Sequence, residues 1–123
     1  MRIVGCISDL MFATRLRDTA RQLGHECKIV GSPATLSEHL PGVDLVLVDL
    51  GNRLGGGLGA VETAVAAGVT VVAYGEHVLP EELEKARSAG ADSVLTRGEL
   101  ARRLPKLLGS EGGEISQDPS KAD

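Results

Sequence analysis

The side chains that could do chemistry stand directly after apolar runs of the sequence. Asp49 closes the run that begins at Leu45, and a carboxylate there can bind a divalent cation or accept backbone N–H groups. A guanidinium group pairs bidentately with carboxylates and phosphates. No nucleophile, histidine and acid can be assembled from these positions, so we do not expect an enzyme. The candidate site residues are Ser8, Asp9, Asp49, Gly75 and Arg97.

Alternating strand and helix patterns must position these residues. Continuous or alternating apolar runs predict strands at residues 3–7, 26–30, 45–50, 69–74 and 93–96. Helical periodicity and glycine stop signals predict helices at residues 9–23, 33–40, 58–67, 80–89 and 99–108. Each helix is expected to bury one apolar stripe, such as Leu79, Leu83 and Ala86. Pro105 should kink or shorten the last helix.

Strand texture predicts the order of the sheet. The first, third and fourth strands are almost continuously apolar, as central strands buried on both faces are, whereas residues 26–30 alternate like an edge strand. Because parallel neighbours need right-handed crossovers, the fold class is α/β, a flavodoxin-like three-layer α/β/α fold with a five-stranded parallel sheet of order 2-1-3-4-5. Its crevice lies at the carboxyl ends of the first and third strands.

Composition excludes several classes of function. The 123 residues carry a net charge of −4 and one Tyr, one Phe and no Trp, which argues against nucleic-acid binding. No apolar run is long enough to span a membrane, and we expect a cytoplasmic protein. Cys6 and Cys27 lack the spacing of a zinc site. We expect one domain over residues 1–109 and a disordered acidic tail over residues 110–123.

Two segments resemble a known family. Residues 44–50 read Asp-Leu-Val-Leu-Val-Asp-Leu, and Gly57 follows Asp49 by eight positions. Residues 88–97 read Ser-Ala-Gly-Ala-Asp-Ser-Val-Leu-Thr-Arg. These segments are similar to the third strand with its loop, and to the fifth strand, of response-regulator receiver domains. The resemblance covers residues 1–109 and implies that Asp49 is the phosphoacceptor equivalent.

The chain departs from the receiver pattern around Asp49. The family uses an acidic pair and the acceptor to bind Mg²⁺, a Ser or Thr and a Lys to contact the phosphoryl group, and an aromatic residue to report the switch. In this chain the acidic pair falls on Ile7 and Ser8, the hydroxyl residue on Gly75 and the lysine on Arg97. The aromatic residue falls on Val94, and the Met-Pro pair that follows the acceptor in the family falls on Asn52 and Arg53. Loss of two carboxylates should cripple Mg²⁺ binding and phosphoryl transfer. We expect no cofactor, with Mg²⁺ binding weak or absent.

The roles of single residues stay open. A one-residue slip that brings Asp9 into the acidic position needs a bulge. Asp49 either accepts loop N–H groups, senses an anion or partner, or is phosphorylated. Arg97 either pairs with Asp49, which would lock the site, or binds a phosphoryl group. The glycine run at residues 55–59 is either a flexible loop or a phosphate cradle.

The leading hypothesis is an atypical, or pseudo-, receiver that acts as a signalling adaptor through protein contacts, without Mg²⁺-dependent phosphorylation. One alternative is a phosphorylatable single-domain response regulator that uses Asp49, and another is a small phosphate-ligand binder. The expected partner is a protein of a signalling or motility system, or a second copy in a homodimer. The resemblance implies an interaction face on the last two helices, with opposite charges: Glu81, Glu82 and Glu84, and Arg102, Arg103 and Lys106.

Overall fold

The computed structural model describes residues 1–76 and 78–109. The five strands are Arg2–Cys6 (β1), Glu26–Val30 (β2), Leu45–Asp49 (β3), Thr70–Gly75 (β4) and Ser93–Thr96 (β5). The α-helices are Leu10–Gln22 (α1), Gly57–Ala66 (α2), Pro80–Ser88 (α3) and Arg97–Gly109 (α4), and a 3₁₀ helix spans Pro33–His39. The predicted tail, residues 110–123, lies outside the described residues.

The strands form one parallel sheet in the order β2-β1-β3-β4-β5. This confirms the predicted fold class and strand order. The three central strands are buried along almost their whole length, whereas β2 alternates between exposed and covered residues. The pattern of apolar residues along a strand predicts its place in the sheet, because a central strand meets helices on both faces and an edge strand has one open side. No helix in the described part of the chain is long and apolar enough to cross a membrane.

Helices cover both faces of the sheet. On one face α1 and α4 pack on the strands through Phe12, Leu16, Leu100, Leu104 and Leu108. On the other face the 3₁₀ helix, α2 and α3 contribute a second apolar cluster, with Leu36, Val61 and Ala86 fully buried. The resulting three layers expose the loops that follow β1, β3 and β4 at a single edge, and those loops carry the candidate site.

The second predicted helix is 3₁₀ rather than α-helical. Ser32 caps it by accepting the N–H of Ala34, and Pro33 begins it, as the sequence indicated. Only Leu36 is buried along its seven residues. A segment this short gains too little from packing to complete α-helical turns, and short pieces of this kind adopt the tighter 3₁₀ form.

The last helix begins two residues earlier than predicted. Thr96 accepts the N–H of Glu99 at 3.1 Å while the Glu99 carboxylate accepts the N–H of Thr96 at 2.9 Å, a reciprocal capping box. Arg97 is therefore the first residue of α4 rather than part of a loop. The helix also runs through Pro105 to Gly109, so the expectation of a shortened helix was wrong. Pro105 lies on the exposed side, opposite the stripe formed by Leu100, Leu104 and Leu108.

Gly57 sets the distance between β3 and α2. A Cβ atom at this position would lie 2.9 Å from both the carbonyl oxygen of Asp49 and the Cα of Leu50. Backbone atoms cannot move aside as side chains do, so α2 can begin here only on a glycine. Gly57 is thus a buried packing residue at the start of a helix, which corrects its assignment to a flexible loop.

Replacement of Gly57 by Ala should lower the free energy of unfolding by about 1–3 kcal/mol, because the methyl group forces β3 and α2 apart. Gly59→Ala is the matched control, since it lies in the same helix and a Cβ there meets nothing within 4 Å. The control should raise stability by about 0.5–1 kcal/mol through reduced chain entropy. Urea unfolding of the two variants measures both effects, and equal stability would contradict the close approach.

Candidate functional site

A small crevice opens at the carboxyl edge of the sheet, where the candidate residues were expected. Its volume is about 170 Å³. The structure brings together Ser8, Asp9, Asp49 and Arg97. Gly75, which was also predicted to line the site, ends β4 and is not among the described lining residues. The described residues that line it are Ser8, Asp9, Asp49, Gly51, Arg53, Tyr74, Glu76 and Arg97.

Arg97 is held by two carboxylates, neither of which is Asp49. Its guanidinium donates to Asp9 and, at 2.7 Å, to Glu76. The guanidinium carbon also lies 5.4 Å from the centre of the Phe12 ring, a cation–π distance. The Arg97–Asp49 pair, one of the two roles considered for Arg97, is therefore not formed among the described residues. Arg97 lies in the first turn of α4, and Asp9 and Glu76 lie in the segments that follow β1 and β4. Both carboxylates are therefore within hydrogen-bonding distance of the guanidinium group.

Asp9 has two structural roles. One carboxylate oxygen caps α1 by accepting the N–H groups of Met11 and Phe12, at 3.0 and 3.3 Å. The other oxygen accepts from Arg97. Asp9 reaches the crevice as the residue before a helix, with no slip of β1 relative to its neighbours. The bulge considered for this residue is therefore not needed to place it in the site.

Asp49 is half-buried and accepts the N–H of Gly51 at 2.9 Å. This is the loop-capping role considered for it. Burial raises the pKa of Asp49, and the carboxylates of Asp9 and Glu76 raise it further, against the lowering effects of the Gly51 N–H and of Arg97. The ionised carboxylate is thus less favourable here than in water. Cys6 lies in the same region of the sheet, and burial raises its thiol pKa to about 11.

The residues around Asp49 do not fit a magnesium ion. Ile7, at one acidic position of the resemblance, is buried in the apolar core with 2% of its surface exposed. Ser8, at the other, accepts the N–H of Arg53 at 3.1 Å. Both oxygens of Asp9 are already engaged by N–H donors. Among the described residues no group of three or more His, Cys, Asp or Glu side chains has a metal-binding arrangement. Octahedral coordination by carboxylates is therefore not supported.

Gly75 stands where a hydroxyl residue would contact a phosphoryl group, and the space above it is filled. A Cβ atom on Gly75 would lie 2.4 Å from a methyl carbon of Val78. A serine or threonine cannot occupy this position without displacing Val78. Glycine at 75 and valine at 78 therefore fit each other sterically.

Four described lining residues were not among the candidate site residues: Gly51, Arg53, Tyr74 and Glu76. Tyr74 was read as part of an apolar strand, and its ring does pack against Phe12, with ring centres 5.1 Å apart. Tyr74 nevertheless lines the crevice, and its hydroxyl is buried. Glu76 directly follows β4. The signal that could have placed both is the register of β3 and β4, in which Asp49 pairs with Tyr74.

The predicted interaction face is split between the two sides of the sheet. The helix α3 packs in one apolar cluster and α4 in the other, so the acidic and basic groups lie on opposite sides of the edge strand β5. Within α3, Glu82 pairs with Lys85 and Glu84 with Arg87. In α4, the hydrogen bond from the Thr96 N–H lowers the pKa of Glu99. The Thr96 hydroxyl and the positive charges of Arg103 and Arg102 lower it further. These local interactions do not test the predicted partner contact.

No family model matches the chain, and no curated protein matches it. Solved structures do. A response regulator receiver domain protein from Methanospirillum hungatei is 18% identical, with a TM-score of 0.72 over 87% of this chain and 92% of that one. An orphan response regulator of H. pylori is 19% identical, with a TM-score of 0.69 over 88% and 90% of the two chains.

A response regulator from Burkholderia pseudomallei, solved with a phosphorylated aspartic acid, is 14% identical with a TM-score of 0.75. That similarity covers 93% of this chain and 69% of that one. The chain therefore has the fold of response-regulator receiver domains. This confirms at the level of fold the resemblance inferred from residues 44–50 and 88–97.

Asp49→Asn should raise the free energy of unfolding at neutral pH, because it removes a carboxylate whose pKa is raised by burial. A raised acid pKa makes the ionised native state costly. The gain in the free energy of unfolding should be complete above the folded-state pKa of Asp49. It should vanish as the pH falls to the ordinary pKa of an Asp carboxyl, 3.8. Urea unfolding between pH 3 and pH 8 measures it. The exposed Asp18→Asn is the control, and an equal pH profile in both variants would contradict the assignment.

Gly75→Ser should lower the free energy of unfolding by about 1–3 kcal/mol through its collision with Val78. Val78→Ala removes the colliding methyl groups. The double variant should therefore lose less stability than the sum of the two single variants, with a coupling of about 1 kcal/mol. A thermodynamic cycle by urea unfolding measures the coupling, and strict additivity would show that Val78 does not fill the space above Gly75.

Proposed function

We propose that this chain is an atypical receiver, a signalling adaptor that works through contacts with a protein partner and without Mg²⁺-dependent phosphorylation of Asp49. The proposal accounts for a receiver fold in which the residues at the carboxyl ends of the strands are not arranged for phosphoryl transfer. The cytoplasmic location expected from the sequence stays a prediction, as does the absence of enzymatic activity.

The observation that carries the proposal is the position of Arg97. In the resemblance this residue corresponds to the lysine that contacts the phosphoryl group. Here its guanidinium is engaged by Asp9 and Glu76, and a phosphoryl group on Asp49 would have to compete with two carboxylates for it. Phosphoryl transfer depends on such preorganised positive charge. A buried Ile7 and a filled space above Gly75 support the same interpretation.

A phosphorylatable response regulator is the second candidate. It is favoured by Asp49 itself, which ends β3, lines the crevice and is held by a single hydrogen bond, from Gly51. The third candidate, a phosphate-ligand binder that uses the glycine run, has less support. Gly55 and Gly56 adopt left-handed φ angles of 74° and 80°, while Gly57 is packed on the β3 backbone. Only part of the run is therefore available to a ligand.

Incubation with acetyl phosphate and Mg²⁺ should leave the intact mass of the protein unchanged, because no preorganised cation or metal site assists transfer to Asp49. Intact mass spectrometry checks this. Asp49→Asn is the matched control for any adduct. A stoichiometric phosphoryl adduct on the natural chain, absent from Asp49→Asn, would replace the proposed function by the second candidate.

A further inference from the structure

The hydroxyl of Tyr74 has no hydrogen-bond partner within residues 1–76 and 78–109. The residue is 2% exposed, and burial raises the pKa of its phenol, so the group stays protonated. A buried hydroxyl without a partner costs about 1–3 kcal/mol. Buried tyrosines ordinarily find a partner for this group. Because Tyr74 lines the crevice, the missing partner can come from a molecule that enters it.

The charge of the crevice indicates the sign of that molecule. Among the described residues, its lining holds three carboxylates and two guanidinium groups, an excess of one negative charge. Arg97 is shared by Asp9 and Glu76, and the described part of the chain offers Asp49 no ion pair. A half-buried carboxylate without a cation is unfavourable unless something else compensates it. A single positive charge would balance the site.

The rim of the crevice is apolar. Five large apolar side chains of the described residues are exposed, and four of them lie close in sequence to lining residues, at the start of α1 and in the segments after β3 and β4: Leu10, Met11, Leu54 and Leu79. They are 80%, 82%, 68% and 59% exposed. Leu79 was expected in the buried stripe of α3, but it precedes Pro80 at the start of that helix. Exposed apolar side chains that lie close together are a feature of protein-binding surfaces.

We propose that this edge is a docking surface for a partner protein that inserts one Arg or Lys side chain into the crevice. The cationic head binds Asp49 and donates a hydrogen bond to the Tyr74 hydroxyl oxygen. Apolar side chains next to it on the partner cover the four rim residues. The proposal rests on the proposed adaptor function and names the surface that performs it.

Other occupants match the site less well. Mg²⁺ needs several oxygen ligands, but both oxygens of Asp9 already accept N–H groups, which leaves Asp49, among the described lining residues, as the carboxylate without an ion pair. A guanidinium group needs only one carboxylate and a neutral hydroxyl. An anion would face an excess of negative charge. Arginine is also the charged residue most often found at the centre of protein interfaces, where an apolar rim excludes water.

A peptide titration tests the proposal. The ¹⁵N-labelled full chain is titrated with acetyl-Leu-Arg-Leu-amide, and with the same peptide carrying citrulline, a neutral isostere, in place of arginine. The reporters are the amides of Gly51 and Arg53, which bond to Asp49 and Ser8. The arginine peptide should bind with a Kd on the order of 1 mM. The citrulline peptide should bind about tenfold more weakly, through loss of the charged hydrogen bonds.

Variants locate the binding. Asp49→Asn should weaken the arginine peptide about tenfold, and Tyr74→Phe, which removes only the hydroxyl, about fivefold. Asp18→Asn on the exposed side of α1 is the matched control and should change nothing. Acetyl-Gly-Arg-Gly-amide reports on the rim and should bind more weakly than the leucine peptide. Met11→Gln with Leu79→Gln should abolish that difference.

Several results would overturn the proposal. These are equal binding of the arginine and citrulline peptides, insensitivity to Asp49→Asn, or equal binding of the leucine and glycine peptides. Tighter, Asp49-dependent binding of Mg²⁺ would make the crevice a metal site, and tighter binding of inorganic phosphate would make it an anion site. Concentration-dependent dimerisation lost in Met11→Gln would make a second copy the occupant. If the peptide titration fails and acetyl phosphate also gives no phosphoryl adduct, the docking surface is disproved and the proposed function still stands.

Discussion

Parallel strands that are covered by helices on both faces leave polar side chains no place except the strand ends, and this constraint organises the whole molecule. The three central strands, β1, β3 and β4, are buried almost throughout. Their carboxyl ends meet at one edge, so residues separated by up to 88 positions, such as Asp9 and Arg97, become neighbours there. Interior positions serve packing, and the polar groups of the crevice lie at the ends of strands, in the loops after them and at the start of α4.

The same constraint explains how far sequence reasoning reached. The strand order follows from the textures of the strands, because burial on one or two faces selects different residues. The membership of Ser8, Asp9, Asp49 and Arg97 in one crevice follows from their places after the strands. These are properties of the backbone path, which hydrophobic periodicity largely determines.

Pairings inside the crevice could not be obtained in this way. Sequence reasoning left open whether Arg97 pairs with Asp49, because the choice among Asp49, Asp9 and Glu76 depends on side-chain direction over a few ångströms. One available signal was overlooked: Thr96 and Glu99 have the spacing of a capping box, which makes Arg97 a helical residue. The hydroxyl of Tyr74 was hidden in an apolar run. Only the register of β3 and β4 relates it to Asp49.

The double engagement of Asp9 has a mechanical consequence. Its carboxylate caps the first turn of α1 and also holds Arg97, the first residue of α4. The starting turns of the two helices on this face of the sheet are thereby joined through one side chain. A displacement of Arg97 is transmitted to the amides of Met11 and Phe12, which share its acceptor. We therefore expect α1 and α4 to fray together at the crevice, with correlated amide hydrogen exchange in the two helix starts.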